Sequence, residues 1–445
     1  MRQNGPMPDE ATLTLDARAV WHPYTQMLTA APPLAIARGS GAWLIAEDGR
    51  RYLDAISSWW VTLHGHAEPR IAAAIGRQAA ELEQVIFAGC AHRPAALLAE
   101  RLRSRLPRGL ERIFFSDNGS TAVEVAIKLA LQYWHNLGQP QRQKIVTLEH
   151  AYHGDTFAAM SASAESHFTA PFAAWRLPVE RAHAAYCYRC PAGLKREHCA
   201  LECLSRLETL LAATGEDVAA VLVEPLLQGA GGMIVHPVEF LQGVKRLCDR
   251  QGVLLIADEV LTGFGRTGAM FACELAGVAP DLLCLSKGLT GGFLPMAVTA
   301  ASAKIYDAFL SRDRRKTFFH GHSYTANPLG CAAALASLDI FDSEPVFERI
   351  ARIAAVHAER LPALAAHPRA GDARQIGTMA ALELAEGEGD YLAGIGPRLQ
   401  AFYLERGILL RPLGGVIYVL PPYCITPEEL HRVWDAIAES LERVA

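Results

Sequence analysis

Lys287 closes an apolar run, LLCLSKGLTGGFLPMA (282–297), and enters a glycine-rich turn. A lysine delivered by a buried strand loses hydration, which favours its neutral form and makes the amine a nucleophile at working pH. A lone lysine more often lays its stem along the core and lets its ammonium reach solvent, so the residues that accompany it decide between the two readings. Asp258 ends a second apolar run, VLLIADEV (253–260). A buried carboxylate needs a partner, and a cap, a nearby arginine such as Arg266, or a cationic ligand would each serve. A protonated pyridine nitrogen is one such cation: an aspartate beneath it keeps the ring an electron sink while a lysine holds the aldehyde of the same molecule. A third stretch, SDNGSTAVEVAIK (116–128), leads from a strand through a turn into a helix, with Thr121 and Glu124 spaced as a capping box and Gly119 permitting close backbone approach. Exposed amides at that helix start could hold a phosphate, or merely open an ordinary capped helix. Amine, carboxylate and phosphate cradle together point to pyridoxal phosphate.

Elements that position these groups can be read between about Leu110 and Ser302. RIFFS (112–116), KIVTLE (144–149), AAVLVEP (219–225), VLLIADEV and LLCLSK (282–287) are strand-like, with helical patterns in STAVEVAIKLALQYW (120–134) and VEFLQGVKRLCDRQG (238–252). Such alternation predicts βαβ units on a mainly parallel sheet, where ligands gather at the carboxyl ends of the strands. Ser116 to Ser120, Tyr152 to Asp155, Glu224, Asp258 and Lys287 all fall at those ends. Outside this region, GAWLIAEDGRRYLDA (41–55) reads as a hairpin turned at Asp48-Gly49. After Asn327 the chain becomes alanine-rich helix, then strands in ILLRPLGGVIYVLPPY (408–423), then a helix from Pro427. The expected fold class is α/β: a large domain (66–334) around the sheet and a smaller α+β domain built from both termini (1–65 and 335–445).

A chain of 445 residues exceeds what one core normally supports, which agrees with two packed regions. With 51% hydrophobic and 20% charged residues it is globular, and a formal charge of -5 argues against a general nucleic-acid binder. The start, MRQNGPMPDEATLTLDARAV, has prolines and acids where a signal peptide needs apolar residues, so a cytoplasmic protein is expected. No uninterrupted apolar run of about eighteen residues predicts a membrane span. Four of the ten cysteines cluster in CYRCPAGLKREHCALEC (187–203). Cys187, Cys190, Cys199 and Cys203 could form a zinc knuckle, but the wider second spacing favours a loop packed by its thiols, and no metal is expected.

LIADEVLTGFGRTG (255–268), LLCLSKGLTGGFLPMA and HGHSYTANPLGCAAALASL (320–338) resemble the class III aminotransferases, fold type I pyridoxal phosphate enzymes. The likeness runs from about Val20 to Glu442. WHPYTQM (21–27) and SSWWVTLHGH (57–66) are similar to the branch of that family that makes 7,8-diaminononanoate from 8-amino-7-oxononanoate in biotin synthesis. This resemblance implies that Lys287 is the catalytic residue and binds the cofactor covalently, that Asp258 pairs with its ring nitrogen, and that Gly119 and Ser120 bind its phosphate. It further implies that Tyr152, in HAYHGDT (150–156), stacks on the ring with Asp155 supporting the pocket, and that Glu224 lies beside the cofactor. Gly321, His322 and Ser323 would reach across from a second subunit, so the enzyme would be a homodimer with shared active sites.

The keto acid carries its reacting end far from its carboxylate, so its pocket needs an apolar wall and a distant cation. Trp59 and Trp60 can supply the wall, and the resemblance implies that Tyr24 and Tyr152 also contact substrate while Arg411 clamps the carboxylate. Adjacent tryptophans are otherwise commonly core, and an arginine before proline is commonly a structural ion pair. Two half-reactions joined by pyridoxamine phosphate imply ping-pong kinetics. Relatives that use S-adenosylmethionine commonly have proline, threonine and phenylalanine where this chain has His322, Ser323 and Tyr324. The expected donor is S-adenosylmethionine, with lysine as the alternative that this stretch raises. Competing readings are a class III transaminase passing ω-amino groups to pyruvate or 2-oxoglutarate, an aminomutase on the same scaffold, and a binding protein organised by zinc.

Overall fold

A computed structural model describes residues 11–385, 392 and 394–444; the first ten residues of the leading stretch lie outside them. Its central sheet has seven strands: β1 (Leu110–Ser116), β2 (Lys144–Leu148), β3 (Val179–Ala182), β4 (Val218–Val223), β5 (Leu254–Asp258), β6 (Leu282–Leu285) and β7 (Ala297–Ser302). Their spatial order is β1-β7-β6-β5-β4-β2-β3. Strands β6, β5, β4, β2 and β3 pair in parallel, whereas β7 is antiparallel to both β6 and β1. Inserting one reversed strand leaves β1 pointing the same way as the parallel set, so its carboxyl end joins theirs. Parallel strands buried on both faces are apolar throughout, and β4, β5 and β6 are buried at every position. Side-chain alternation divides them between two layers: Ala220, Leu222, Leu254 and Ile256 pack on one face, and Val221, Val223 and Leu255 on the other.

Helix α1 (Gly119–Asn136) covers the first of these faces with Val123, Ala126, Ile127 and Ala130. Its cap differs from the sequence expectation. Asn118, not Thr121, is the N-cap: its side chain accepts from the Thr121 N–H, and the Thr121 hydroxyl receives the Asn118 N–H in return. Glu124 turns outward and takes the N–H groups of Ala158 and Ala159, tying α1 to the segment after β2.

The hairpin forms as the Asp48-Gly49 signal implies, with Trp43–Ala46 antiparallel to Arg51–Asp54. Ile408–Leu409 then adds to Arg51–Asp54 in parallel, so the two ends of the chain share one sheet. The remaining C-terminal strands, Ala370–Ile376, Met379–Leu384 and Val416–Val419, make a three-stranded antiparallel sheet. The helix Pro427–Arg443 opens with a Thr426/Glu429 capping box. Among the described residues no helix is long and apolar enough to cross a membrane.

Candidate active site

A cavity of about 680 Å³ opens at the carboxyl ends of the strands, and Gly119, Ser120, Tyr152, Asp155, Glu224, Asp258, Lys287 and Trp60 all line it. Asp258 is the last residue of β5 and lies level with Cys284 of β6. Lys287 follows β6 by two positions and starts a short 3-10 turn, Lys287–Thr290, instead of ending the strand itself. The lysine is half-buried, with its Nζ 5.0 Å from the centroid of the Trp60 ring. Burial pushes the Lys287 amine below the ordinary lysine range, while the Asp258 and Glu224 carboxylates oppose that shift. An amine so placed can serve both as nucleophile and as proton carrier.

Asp258 does not pair with Arg266. Its Oδ1 accepts the Val260 N–H (3.1 Å), and its Oδ2 lies 2.7 Å from Nδ1 of the buried His153. The other nitrogen of His153 is 3.2 Å from the Thr147 hydroxyl of β2. One tautomer satisfies both contacts: Nδ1–H donates to the carboxylate and Nε2 accepts from threonine. Arg266 is spent on main-chain carbonyls, those of Pro421 (2.9 Å), Trp60 (3.2 Å) and Thr62 (3.2 Å), and so fixes the tryptophan turn instead. Sequence reasoning missed His153, although it sits inside the quoted HAYHGDT and although Thr147 is a polar residue in an apolar strand.

Glu224 also has a role other than contact with a ligand. Its two oxygens receive the N–H groups of Tyr152 and Gly229, each at 3.0 Å, so it joins two loops at the cavity wall. Burial pushes its carboxyl up to about 7. At the start of α1, Ser120 Oγ lies 2.6 Å from the Thr156 hydroxyl and accepts the Thr156 N–H at 3.0 Å. Gly154 must be glycine here: its φ is +125°, and a Cβ would lie 2.2 Å from Ser120 Oγ. At Gly119 a Cβ would lie 2.6 Å from Val260 Cγ1, so this glycine makes room for a neighbouring side chain.

At the mouth, the Tyr24 hydroxyl donates to Asp155 and lies 3.2 Å from that of Tyr152. The Tyr24 ring meets Trp59 edge-on at 5.4 Å, and the Arg411 guanidinium lies 5.1 Å from the centre of the Trp59 ring. Ser57, Ser58 and Trp60 all have φ between +52° and +69°, a costly conformation for such residues. Asp54, a second group that sequence reasoning missed, holds this turn through the N–H groups of Ile56 (3.1 Å) and Ser58 (2.6 Å), with His66 2.9 Å from the same carboxylate. Gly321, His322 and Ser323 lie outside the cavity of their own chain. His322 is half-buried, and Gly321 and Ser323 are exposed.

The family model for aminotransferase class III matches residues 25–441. The chain belongs to the class III aminotransferases. This aminotransferase is 52% identical to the adenosylmethionine-8-amino-7-oxononanoate aminotransferase of Synechococcus elongatus, over 96% of this chain and 99% of that protein. It is 44% identical to the Geobacter sulfurreducens protein of the same name, over 98% and 99%. A crystal structure of the Methanocaldococcus jannaschii protein of that name superposes with a TM-score of 0.91 at 38% identity, covering 97% and 98% of the two chains. An amine transaminase from an uncultivated Pseudomonas species, in its pyridoxal phosphate-bound form, superposes at 0.89 with 35% identity over 96% and 99%. The fold is therefore that of the fold type I enzymes, and the cofactor is pyridoxal phosphate. The residues present fit it: an amine of lowered basicity and a carboxylate face one cavity beside the N-terminus of an eighteen-residue helix.

Proposed function

We propose that this aminotransferase converts 8-amino-7-oxononanoate to 7,8-diaminononanoate in biotin synthesis, with S-adenosylmethionine as amino donor. The arrangement at the mouth supports this substrate most directly: Tyr24 and Trp59 offer an aromatic wall, and the Arg411 guanidinium lies against the Trp59 ring. An aromatic wall with a cation beside it suits a long methylene chain ending in carboxylate. The names of the relatives in Synechococcus and Geobacter agree with it.

When bound, pyridoxal phosphate supplies an aldehyde and a ring that accepts electron density from the carbon losing its proton. In this reading Lys287 would hold the aldehyde, and its Nζ would carry the proton at the reacting carbon of the substrate. Asp258 would face the ring nitrogen, with His153 fixing its Oδ2. The start of α1 at Gly119 and Ser120 would hold the phosphate. Tyr152 would lie against the ring, steadied by the Tyr24 hydroxyl, which is held in turn by the Asp155 carboxylate. Trp60 over Lys287 shields the amine from water.

We also propose a cytoplasmic homodimer. Trp21, Leu28, Trp175, Phe319 and Tyr324 are between 65% and 90% exposed on the single chain, large apolar side chains that a partner would cover. In such a pair Gly321, His322 and Ser323 would complete the partner's cavity, and the two ends of the chain (1–65 and 335–445) would form the smaller domain beside 66–334. Incubating the purified enzyme with 8-amino-7-oxononanoate and, separately, S-adenosylmethionine, lysine, or an ω-amino acid tests the assignment. Diaminononanoate should form with S-adenosylmethionine. No product with any donor overturns the substrate, and product with lysine alone overturns the donor.

A further inference from the structure

The four clustered thiols form a second site, apart from the cavity that holds Lys287. Cys187, Cys190, Cys199 and Cys203 all line one small cavity of about 20 Å³, closed by Leu194 and Pro237. Every one of them is a free thiol, ranging from exposed Cys187 through half-buried Cys190 and Cys199 to buried Cys203. They are not assembled as a metal cage: among the described residues no three His, Cys, Asp or Glu side chains are placed to hold a metal ion. We propose that this loop is a reversible thiol–disulfide site, in which Cys199 is the attacking thiol and Cys187 the resolving one.

Three observations single out that pair. Arg196 points its Nη1 at Cys199 Sγ from 3.9 Å, where a cation attracts the negative charge carried by an attacking sulfur. Arg196 is itself held by Glu239 at 3.2 Å, so the cation stays in place. Cys187 lines the same small cavity as Cys199 and is the most exposed of the other three thiols. Finally, the backbone around Cys187 is pinned. Tyr186 donates its hydroxyl to Glu383, and Arg189 reaches the same carboxylate at 3.0 Å. Bond formation therefore falls to the loop tip that carries Cys199. Cys203 suits neither role, since burial pushes its thiol up to about 11.

The oxidant is a low-molecular-weight disulfide. The Cys199 thiolate attacks one of its sulfurs, its S–S bond breaks, and one small thiolate leaves and takes a proton. Cys187 then loses its proton to solvent and attacks the Cys199 sulfur, which forms the protein disulfide and expels the second small thiol. Two protein thiols are oxidised and one external disulfide is reduced to two thiols.

The test treats the holoenzyme with oxidised glutathione, blocks the remaining thiols with an alkylating agent, and maps the digest by mass spectrometry. The expected result is a Cys187–Cys199 cross-linked peptide with two fewer alkylated cysteines per chain, restored by dithiothreitol. Cys187→Ser should stop the sequence halfway, leaving glutathione on Cys199. Arg196→Gln should slow the first step about three- to tenfold at neutral pH, with Arg196→Lys restoring most of the rate, while transaminase turnover stays as in the parent. Unchanged thiols after oxidation would overturn the proposal, as would glutathione resting on Cys199 with Cys187 intact, or stoichiometric zinc in the isolated holoenzyme that must be chelated before the thiols react.

Discussion

Replacing His153 by alanine tests the contribution of a buried residue that touches Asp258 and itself lines the cavity. The imidazole supplies one charge-assisted hydrogen bond, Nδ1–H to Oδ2 at 2.7 Å, and one neutral contact to Thr147 at 3.2 Å. A hydrogen bond to a charged group contributes about 1.5–3 kcal/mol. If all of that bears on holding the carboxylate against the cofactor ring, kcat/KM falls by about ten- to 150-fold at 1.36 kcal/mol per decade. His153→Asn places an amide N–H where Nδ1 stood and gives up only the Thr147 contact. It should recover kcat/KM to within about fivefold of the parent, since a neutral hydrogen bond contributes about 1 kcal/mol. Steady-state transamination, cofactor dissociation measured by absorbance, and Tm should be followed on all three proteins. The reasoning fails if alanine leaves kcat/KM and cofactor affinity within twofold of the parent. It fails equally if asparagine is as impaired as alanine while matching the parent Tm, because the restored donor would then have done nothing.

Arg411→Ala should raise KM for the keto acid and lower its kcat/KM by about ten- to 150-fold, the loss of one charge-assisted clamp, with kcat little changed; unaltered keto acid kinetics would show that the carboxylate binds elsewhere. Gly154→Ala combines a φ of +125° with a Cβ 2.2 Å from Ser120 Oγ and 2.8 Å from its Cα, and should weaken cofactor binding. Gly109→Ala, at φ +91° with nothing within 4 Å, is the control for backbone strain alone and should retain cofactor. Burial lowers His64 and His236 to about 3 and His357 to about 4, so these groups stay neutral in the fold while the unfolded chain takes up protons from 6.5 downward. Each removes up to about 1.4 kcal/mol per pH unit on acidification. Glu224 and Glu259, pushed up to about 7, act oppositely between 4.5 and 7 because there the fold takes up protons first. Urea unfolding should therefore show a shallow decline from pH 6.5 to 4.5 and a steep one below; constant stability between pH 4.5 and 4 would contradict this.

What the sequence made legible is whatever a short apolar run or a turn residue encodes locally. β4, β5 and β6 stand out as apolar runs because both faces of the sheet are covered there, β1 and β2 show through the shorter apolar stretches IFF and IV, and Asp48-Gly49 marks its hairpin with a positive-φ glycine. Two strands left no comparable trace. β3, VERA, is a half-buried edge with two charges, and β7, AVTAAS, is small-residue sheet whose reversed direction no periodicity can report. The cap of α1 moved by three residues because Asn118, Ser120 and Thr121 can each cap and only tertiary contacts choose among them; Glu124 was claimed by Ala158 and Ala159. The candidate site was legible as separate groups at strand ends, while the links between them were not. His153 meets Asp258 across 105 positions, a distance at which spacing carries no signal.

Those links explain why the carboxylates around the cavity divide into different tasks despite similar burial. Glu224 and Glu259 each receive at least two main-chain N–H groups, the first from Tyr152 and Gly229, the second from Ala272 and Cys273. Such groups stitch loops together whether or not they are ionised, since a protonated carboxyl still accepts through its remaining lone pairs. Asp54 does the same for the strained turn that presents Trp59 and Trp60, where the contacts to Ile56, Ser58 and His66 offset three positive-φ residues. Asp258 is arranged differently. It receives one main-chain N–H and one imidazole, and it also borders the open cavity. A carboxylate with a fixed back and an accessible front is suited to a cation that arrives with the cofactor. A charge held this way and a lysine whose basicity burial has lowered are complementary preparations for one ring, and neither would be expected of residues that served packing alone.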